Sequence, residues 1–249
     1  MVIMKGLILV LQFTTRLPIP LSVKTREEDL TGIMKYMPLA GGIIGLAMWF
    51  IYRILLAFDL FAAAVAAVLA ESVITGGLHQ DGLADTFDGL YSNRDREGML
   101  EAMKDSRLGT HGVLALTGSL LLKVALINAI AKPEALLVMP VFSRLAMVFG
   151  AAYSKSARPS GLGFVFINGT SGKDALIASF IALSITLYPA GLLCTVAAMA
   201  VVPALSFLFI RLCTLRIGGM TGDTLGALGE MASLAFLSVY GILLFYSLC

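Results

Sequence analysis

Three aspartates in the run Gly76-Gly77-Leu78-His79-Gln80-Asp81-Gly82-Leu83-Ala84-Asp85-Thr86-Phe87-Asp88-Gly89 stand at i, i+4 and i+7. On a helix that spacing puts Asp81, Asp85 and Asp88 within about 60° of one another on one face. Three carboxylates so close repel one another unless protons or a cation neutralise them. Oxygen-only ligation suits Mg²⁺ or Mn²⁺ rather than zinc, and such ions typically hold a substrate phosphate as well. The spacing therefore predicts a divalent-cation site on Asp81, Asp85 and Asp88. The plainer alternative is a solvated polar helix face, but surface helices rarely stack like charges at these spacings without interleaved bases.

Two further clusters carry chemistry. In Met103-Lys104-Asp105-Ser106-Arg107-Leu108-Gly109-Thr110-His111-Gly112, two cations flank an aspartate and a glycine-rich stretch opens an apolar segment. Backbone N–H groups at a helix start, together with Lys104 and Arg107, make an anion site, with Ser106 between them. In Arg216-Ile217-Gly218-Gly219-Met220-Thr221-Gly222-Asp223-Thr224-Leu225-Gly226-Ala227, Asp223 shares a helix face with Glu230, and it equally suits a helix N-cap. Asp81 and Leu83 follow Gly76-Gly77 at the same offsets at which Asp223 and Leu225 follow Gly218-Gly219. Deeper in apolar sequence stand Glu71, Lys123 and Arg144. Charges in lipid are costly and usually functional. Two cations against one acid leave a positive surplus, which predicts that Lys123 and Arg144 serve an anionic substrate.

These residues need elements to hold them, and composition says of what kind. Of the 249 residues 58% are apolar and 14% are charged, with a mean hydropathy of +0.91. That excludes a soluble globular domain, a disordered chain and a nucleic-acid binder with a basic face. Seven apolar segments, about 36–57, 60–77, 112–131, 134–152, 174–188, 190–210 and 229–249, predict an all-α polytopic bundle of about seven transmembrane helices. The 36 residues Ala175–Ile210 carry no charge. As one helix they would reach about 54 Å, too long for one crossing, so a turn is predicted at Tyr188-Pro189-Ala190-Gly191. The apolar run to Phe13 is too short to span and is expected to lie at the interface or to be partly inserted. It has no small-residue cleavage site and reads as part of the mature protein. Residues 1–249 read as a single domain. Three widely spaced cysteines argue against a disulfide framework and a zinc site.

Loops 14–35, 79–111, 154–173 and 211–228 are long and polar and hold 13 of the 18 basic residues. An even number of spans separates each from the next, so all four fall on one side, and the positive-inside rule makes that side cytoplasmic.

The runs Phe13-Thr14-Thr15-Arg16-Leu17-Pro18-Ile19-Pro20, 76–89, 103–112, Ser143-Arg144 and 218–227 together resemble the cobalamin synthase family, in order from residue 13 to beyond 230. The resemblance implies an integral transferase of the cytoplasmic membrane with its active site on the cytoplasmic side. It would be Mg²⁺-dependent, joining adenosylcobinamide-GDP to α-ribazole or its 5′-phosphate with release of GMP. Arg16, Lys104, Ser106, Arg107, Lys123 and Arg144 would then bind substrate. Family members carry a second glutamate three residues after the position of Glu230, where this chain has Ser233.

The residues suit that chemistry. A cation neutralises the diphosphate and the departing GMP, and a base must stand near the attacking ribose hydroxyl. His79, Asp105 and Asp223 are the candidates, with His79 equally a structural donor at a helix start. Other readings are a CDP-alcohol or prenyl transferase and an ion-coupled transporter. The first wants an Ala-Arg pair where Ala84-Asp85 stands, and transport sites usually lie at the bilayer midplane rather than its edge.

Overall fold

The computed structural model describes residues 2–19 and 30–247. Pro20, the loop bases Lys24 and Arg26, and Cys249, one of the three cysteines, lie outside the described residues. Within them the fold is helical throughout: α1 (Val2–Thr14), α2 (Met37–Leu55), α3 (Leu60–Thr75), α4 (Leu78–Leu90), α5 (Arg96–Ala102), α6 (Thr110–Ile130), α7 (Glu134–Ala152), α8 (Leu162–Gly169), α9 (Gly172–Ala190), α10 (Leu192–Ile217) and α11 (Gly222–Phe245). A 3₁₀ turn, Ile33–Tyr36, leads into α2.

Among the described residues six helices are long and apolar enough to cross a membrane: α2 with its 3₁₀ turn, α6, α7, α9, α10 and α11. α3 is the seventh apolar helix, and the chain bends by 89° between it and α4. This is a multi-pass membrane bundle, with the short apolar α1 beside it. α7 is the central helix and packs against α2, α9 and α11. Nearly every residue of α7 is buried, Arg144 included. Gly41 and Gly45, one turn apart on α2, bring the two backbones together, since a Cβ on Gly41 would lie 2.5 Å from the Pro140 carbonyl oxygen.

The helix ends explain where the apolar pattern misplaced boundaries. α10 runs past Arg211 and Arg216, because arginine is a good helix former and its long side chain lets the head reach water. The helix stops only at Gly218, with φ +80°. α11 starts at Gly222, not near residue 229, because Thr221 and Thr224 close a capping box. Asp223 thus stands in the first turn of a long helix rather than in a loop. Pro189 is inside α9, and the expected turn is made by Gly191 alone, with φ +77°. Cys213 is a buried free thiol whereas Cys194 is disulfide-bonded, so the odd cysteine count does not leave every thiol unpaired.

Candidate active site

The aspartate-rich segment is α4, and glycine decides both its direction and its neighbour. Gly76 and Gly77 have φ of +65° and +72°, in the left-handed region that glycine enters at little cost. They end α3 and turn the chain by 89° into α4. Gly82 and Gly226 then let α4 and α11 cross almost backbone to backbone. A Cβ on Gly82 would sit 2.7 Å from the Asp223 carbonyl oxygen, and one on Gly226 would sit 3.2 Å from the His79 Cα. The two Gly-Gly…Asp segments that echo each other in sequence are therefore in contact, each entering its helix from left-handed glycines.

Two cavities flank this crossing. One is the more enclosed, about 250 Å³, and is lined by His79, Asp81, Arg158, Asp223 and an apolar wall that includes Phe13, Met34 and Phe166. The other is more open, about 720 Å³, and is lined by Arg16, Gln80, Asp81, Asp85, Ser106 and Arg107. Leu78 and Asp81 line both. Segments from all four long polar loops meet here, so those loops do gather at one end of the bundle.

Electrostatics mark the same spot. Burial, then the charges of Asp81, Asp223 and Asp88, push the Asp85 carboxyl up to about 7, with Arg158 opposing them. Burial, then Arg144 and Lys123, hold His79 well below the usual imidazole range, so its ring is neutral. Its Nε2 is buried and has no hydrogen-bond partner among the described residues.

Asp88 departs from the expected triad. Its carboxylate accepts N–H bonds from Gly109 at 2.7 Å and Gly112 at 2.8 Å. The glycines of the 103–112 run leave room for that carboxylate, since a Cβ at either would collide with it. Asp88 ties the start of α6 to α4. No three His, Cys, Asp or Glu side chains among the described residues stand close enough to hold a metal between them. Asp81 and Asp85 on α4, which line the same open cavity, still offer only oxygen donors. Mg²⁺ is commonly held by one or two carboxylates plus substrate phosphates, so this donor set fits it.

The basic cluster divides. Arg107 and Ser106 reach the open cavity, whereas Lys104 lines neither cavity. Asp105 is clamped by the Arg107 guanidinium at 2.6 Å, and that pairing pulls its carboxyl down to about 2. A general base needs the opposite.

The intramembrane charges differ most from expectation. Lys123 is fully buried and donates to Glu71 and Glu230, both at 2.9 Å. Arg144 Nη1 lies 3.7 Å from Glu71 and donates to Ser143 at 3.0 Å. Glu230 supplies the second acid, so two cations meet two anions and the positive surplus disappears. Neither cation lines either of the two cavities. Ser233, at the position of the departure noted above, is buried and donates back to the Gly229 carbonyl at 3.2 Å.

Sequence reasoning counted Arg158 only as a loop charge. It forms a 3.0 Å ion pair with Asp223. Ala157 donates to Met220 and Met220 to Lys155, each at 2.8 Å, which pins the Arg158 loop beside the start of α11. The Arg-Pro-Ser-Gly composition at 158–161 marks a turn, but the pairing across some sixty residues of sequence left no local signal.

The chain matches the family model for cobalamin-5-phosphate synthase over residues 6–241. It is 42% identical to the adenosylcobinamide-GDP ribazoletransferase of Caldanaerobacter subterraneus subsp. tengcongensis, covering 96% of this chain and 99% of that one. It is 40% identical to the protein of that name from Thermoanaerobacter pseudethanolicus, covering 94% and 95%. A third, from Alkaliphilus metalliredigens, is 42% identical with 94% of each chain covered. No solved structure matches.

Proposed function

The chain belongs to the cobalamin-5-phosphate synthase family, and from that membership we propose that it joins adenosylcobinamide-GDP to α-ribazole, or to α-ribazole 5′-phosphate, with release of GMP. The observation that carries this reading is the α4–α11 crossing, which sets Asp81 and Asp85 at the cavity lined by Arg16 and Arg107 and sets Asp223 with Asp81 at the cavity on the other side. The CDP-alcohol, prenyl and transport readings have no comparable support.

The reaction is displacement at phosphorus. A ribose hydroxyl oxygen of the acceptor bonds to the cobinamide-bearing phosphorus. The bond from that phosphorus to the bridging oxygen breaks, and GMP leaves with the electron pair. Asp81 and Asp85 are the residues that would hold Mg²⁺, together with the substrate's phosphate oxygens. Bound there, Mg²⁺ supplies charge neutralisation for the diphosphate and the leaving group. Arg16, Ser106 and Arg107 hold phosphate oxygens in the open cavity. Asp223 accepts the hydroxyl proton. His79, kept neutral, orients that hydroxyl through Nε2 instead of taking the proton. Lys123, Arg144, Glu71 and Glu230 act beneath the site as a buried support. The basic charge of the loops around it supports a site on the cytoplasmic face of the cell membrane.

The test is GMP release by the purified protein in lipid nanodiscs. GMP should appear only when adenosylcobinamide-GDP, the ribazole acceptor and Mg²⁺ are all present. No release from the complete mixture would contradict the reading.

A further inference from the structure

We propose that the enclosed cavity between α4, α8 and α11 is the seat of the acceptor nucleoside, so that the two substrates approach Asp81 from opposite sides of α4. This rests on the functional reading above and adds which cavity takes which substrate.

Size is the first argument. About 250 Å³ gives room for a nucleoside but not for a corrinoid joined to a nucleoside diphosphate. The larger substrate needs the cavity of about 720 Å³, which opens outward and leaves the bulky part of the molecule outside.

Lining is the second. A nucleoside whose base is an apolar bicyclic aromatic ring needs flat and adaptable apolar walls, with few polar groups to orient its sugar. The more enclosed cavity has such a wall, where Phe13 and Phe166 meet edge to face at 4.6 Å between centroids beside Met34, Met37 and Met147, and it sets His79, Asp81, Arg158 and Asp223 among its polar groups. The open cavity instead presents Arg16, Arg107 and Ser106, donors suited to phosphate oxygens.

The third argument is independent of shape. His79 is 3% exposed, lines the enclosed cavity, and its Nε2 has no hydrogen-bond partner among the described residues. A buried ring nitrogen without a partner is destabilising on its own. A sugar hydroxyl in the cavity supplies the missing bond. Asp81, on the wall between the cavities, is then the carboxylate that both substrates meet.

The experiment pairs two exposed positions whose substitution leaves the core intact. Ser160 lines the enclosed cavity and Arg107 lines the open one. Equilibrium binding of radiolabelled α-ribazole to the full-length protein, without Mg²⁺ or the second substrate, is measured first. KM values for both substrates follow. Ser160→Trp should weaken ribazole binding and raise its KM at least tenfold, leaving the KM for adenosylcobinamide-GDP within twofold. Arg107→Gln should do the reverse. Ser160→Trp acting on the GDP-linked substrate alone, or on both equally, would overturn the assignment. Absence of GMP release by the unsubstituted protein would instead overturn the functional reading beneath it.

Discussion

Asp88 separates what spacing can say from what it cannot. The i, i+4, i+7 pattern correctly puts three carboxylates on one helix face, but a side chain's partners come from elsewhere in the chain. Gly109 and Gly112 present two N–H groups to Asp88, 21 and 24 residues away. Asp88→Asn replaces one accepting oxygen with an NH₂ and leaves a backbone donor unpaired. It should lower stability by about 1–3 kcal/mol, read from thermal unfolding, while the Mg²⁺ concentration for half-maximal activity stays unchanged. Unaltered stability with a weakened Mg²⁺ response would return Asp88 to the ligand set. The same reasoning governs Lys123. Its sequence position announced a buried charge, but Glu230 as a partner could not be read off, since the two lie 107 residues apart. Lys123→Met strands two buried carboxylates and should cost about 3–5 kcal/mol. Adding Glu230→Gln should recover part of that loss. A stable Lys123→Met protein with a raised KM for the GDP-linked substrate would instead make Lys123 a substrate contact.

At the scale of elements, seven apolar helices and their turns were legible because lipid demands long uncharged runs. Two things were hidden. Helix ends at Ile217 and Gly222 depend on glycine dihedrals and a capping box rather than on hydropathy. The α4–α11 crossing is a tertiary contact, and its only trace in sequence was the repeated Gly-Gly…Asp offset. That crossing depends on Gly82. Gly82→Ala would press a methyl against the Asp223 backbone and force the helices apart. Displacements near 1 Å at an active site cost up to about a hundredfold in rate. GMP release should fall by roughly that factor, with thermal stability far less affected. Gly118→Ala, on an open face of α6 with nothing within 4 Å of the added carbon, is the control and should retain full activity. Equal activity for the two variants would mean that the close approach does not position Asp223.

Across the whole molecule, the bundle brings four separate polar segments to one end, as the alternation of long and short hinges predicts. The positive-inside rule predicts that this end faces the cytoplasm. Single cysteines at Asn93 and Ser160, in a background without the native three, should resist a membrane-impermeant thiol reagent in intact cells and react after permeabilisation. Labelling from outside would invert the topology. The central claim is that Asp81 and Asp85 neutralise a diphosphate through a divalent cation, and GMP release against Mg²⁺ concentration tests it most directly. Asp81→Asn and Asp85→Asn should each depress turnover by orders of magnitude, because groups that act as one unit fail together. Asp95, the N-cap of α5, and Glu97 in its first turn lie in the same acidic segment but line neither cavity. Their Asn and Gln variants should keep most of the activity and an unchanged Mg²⁺ response. Similar, mild losses in all four variants would mean that the segment contributes only diffuse negative potential, and would contradict the account.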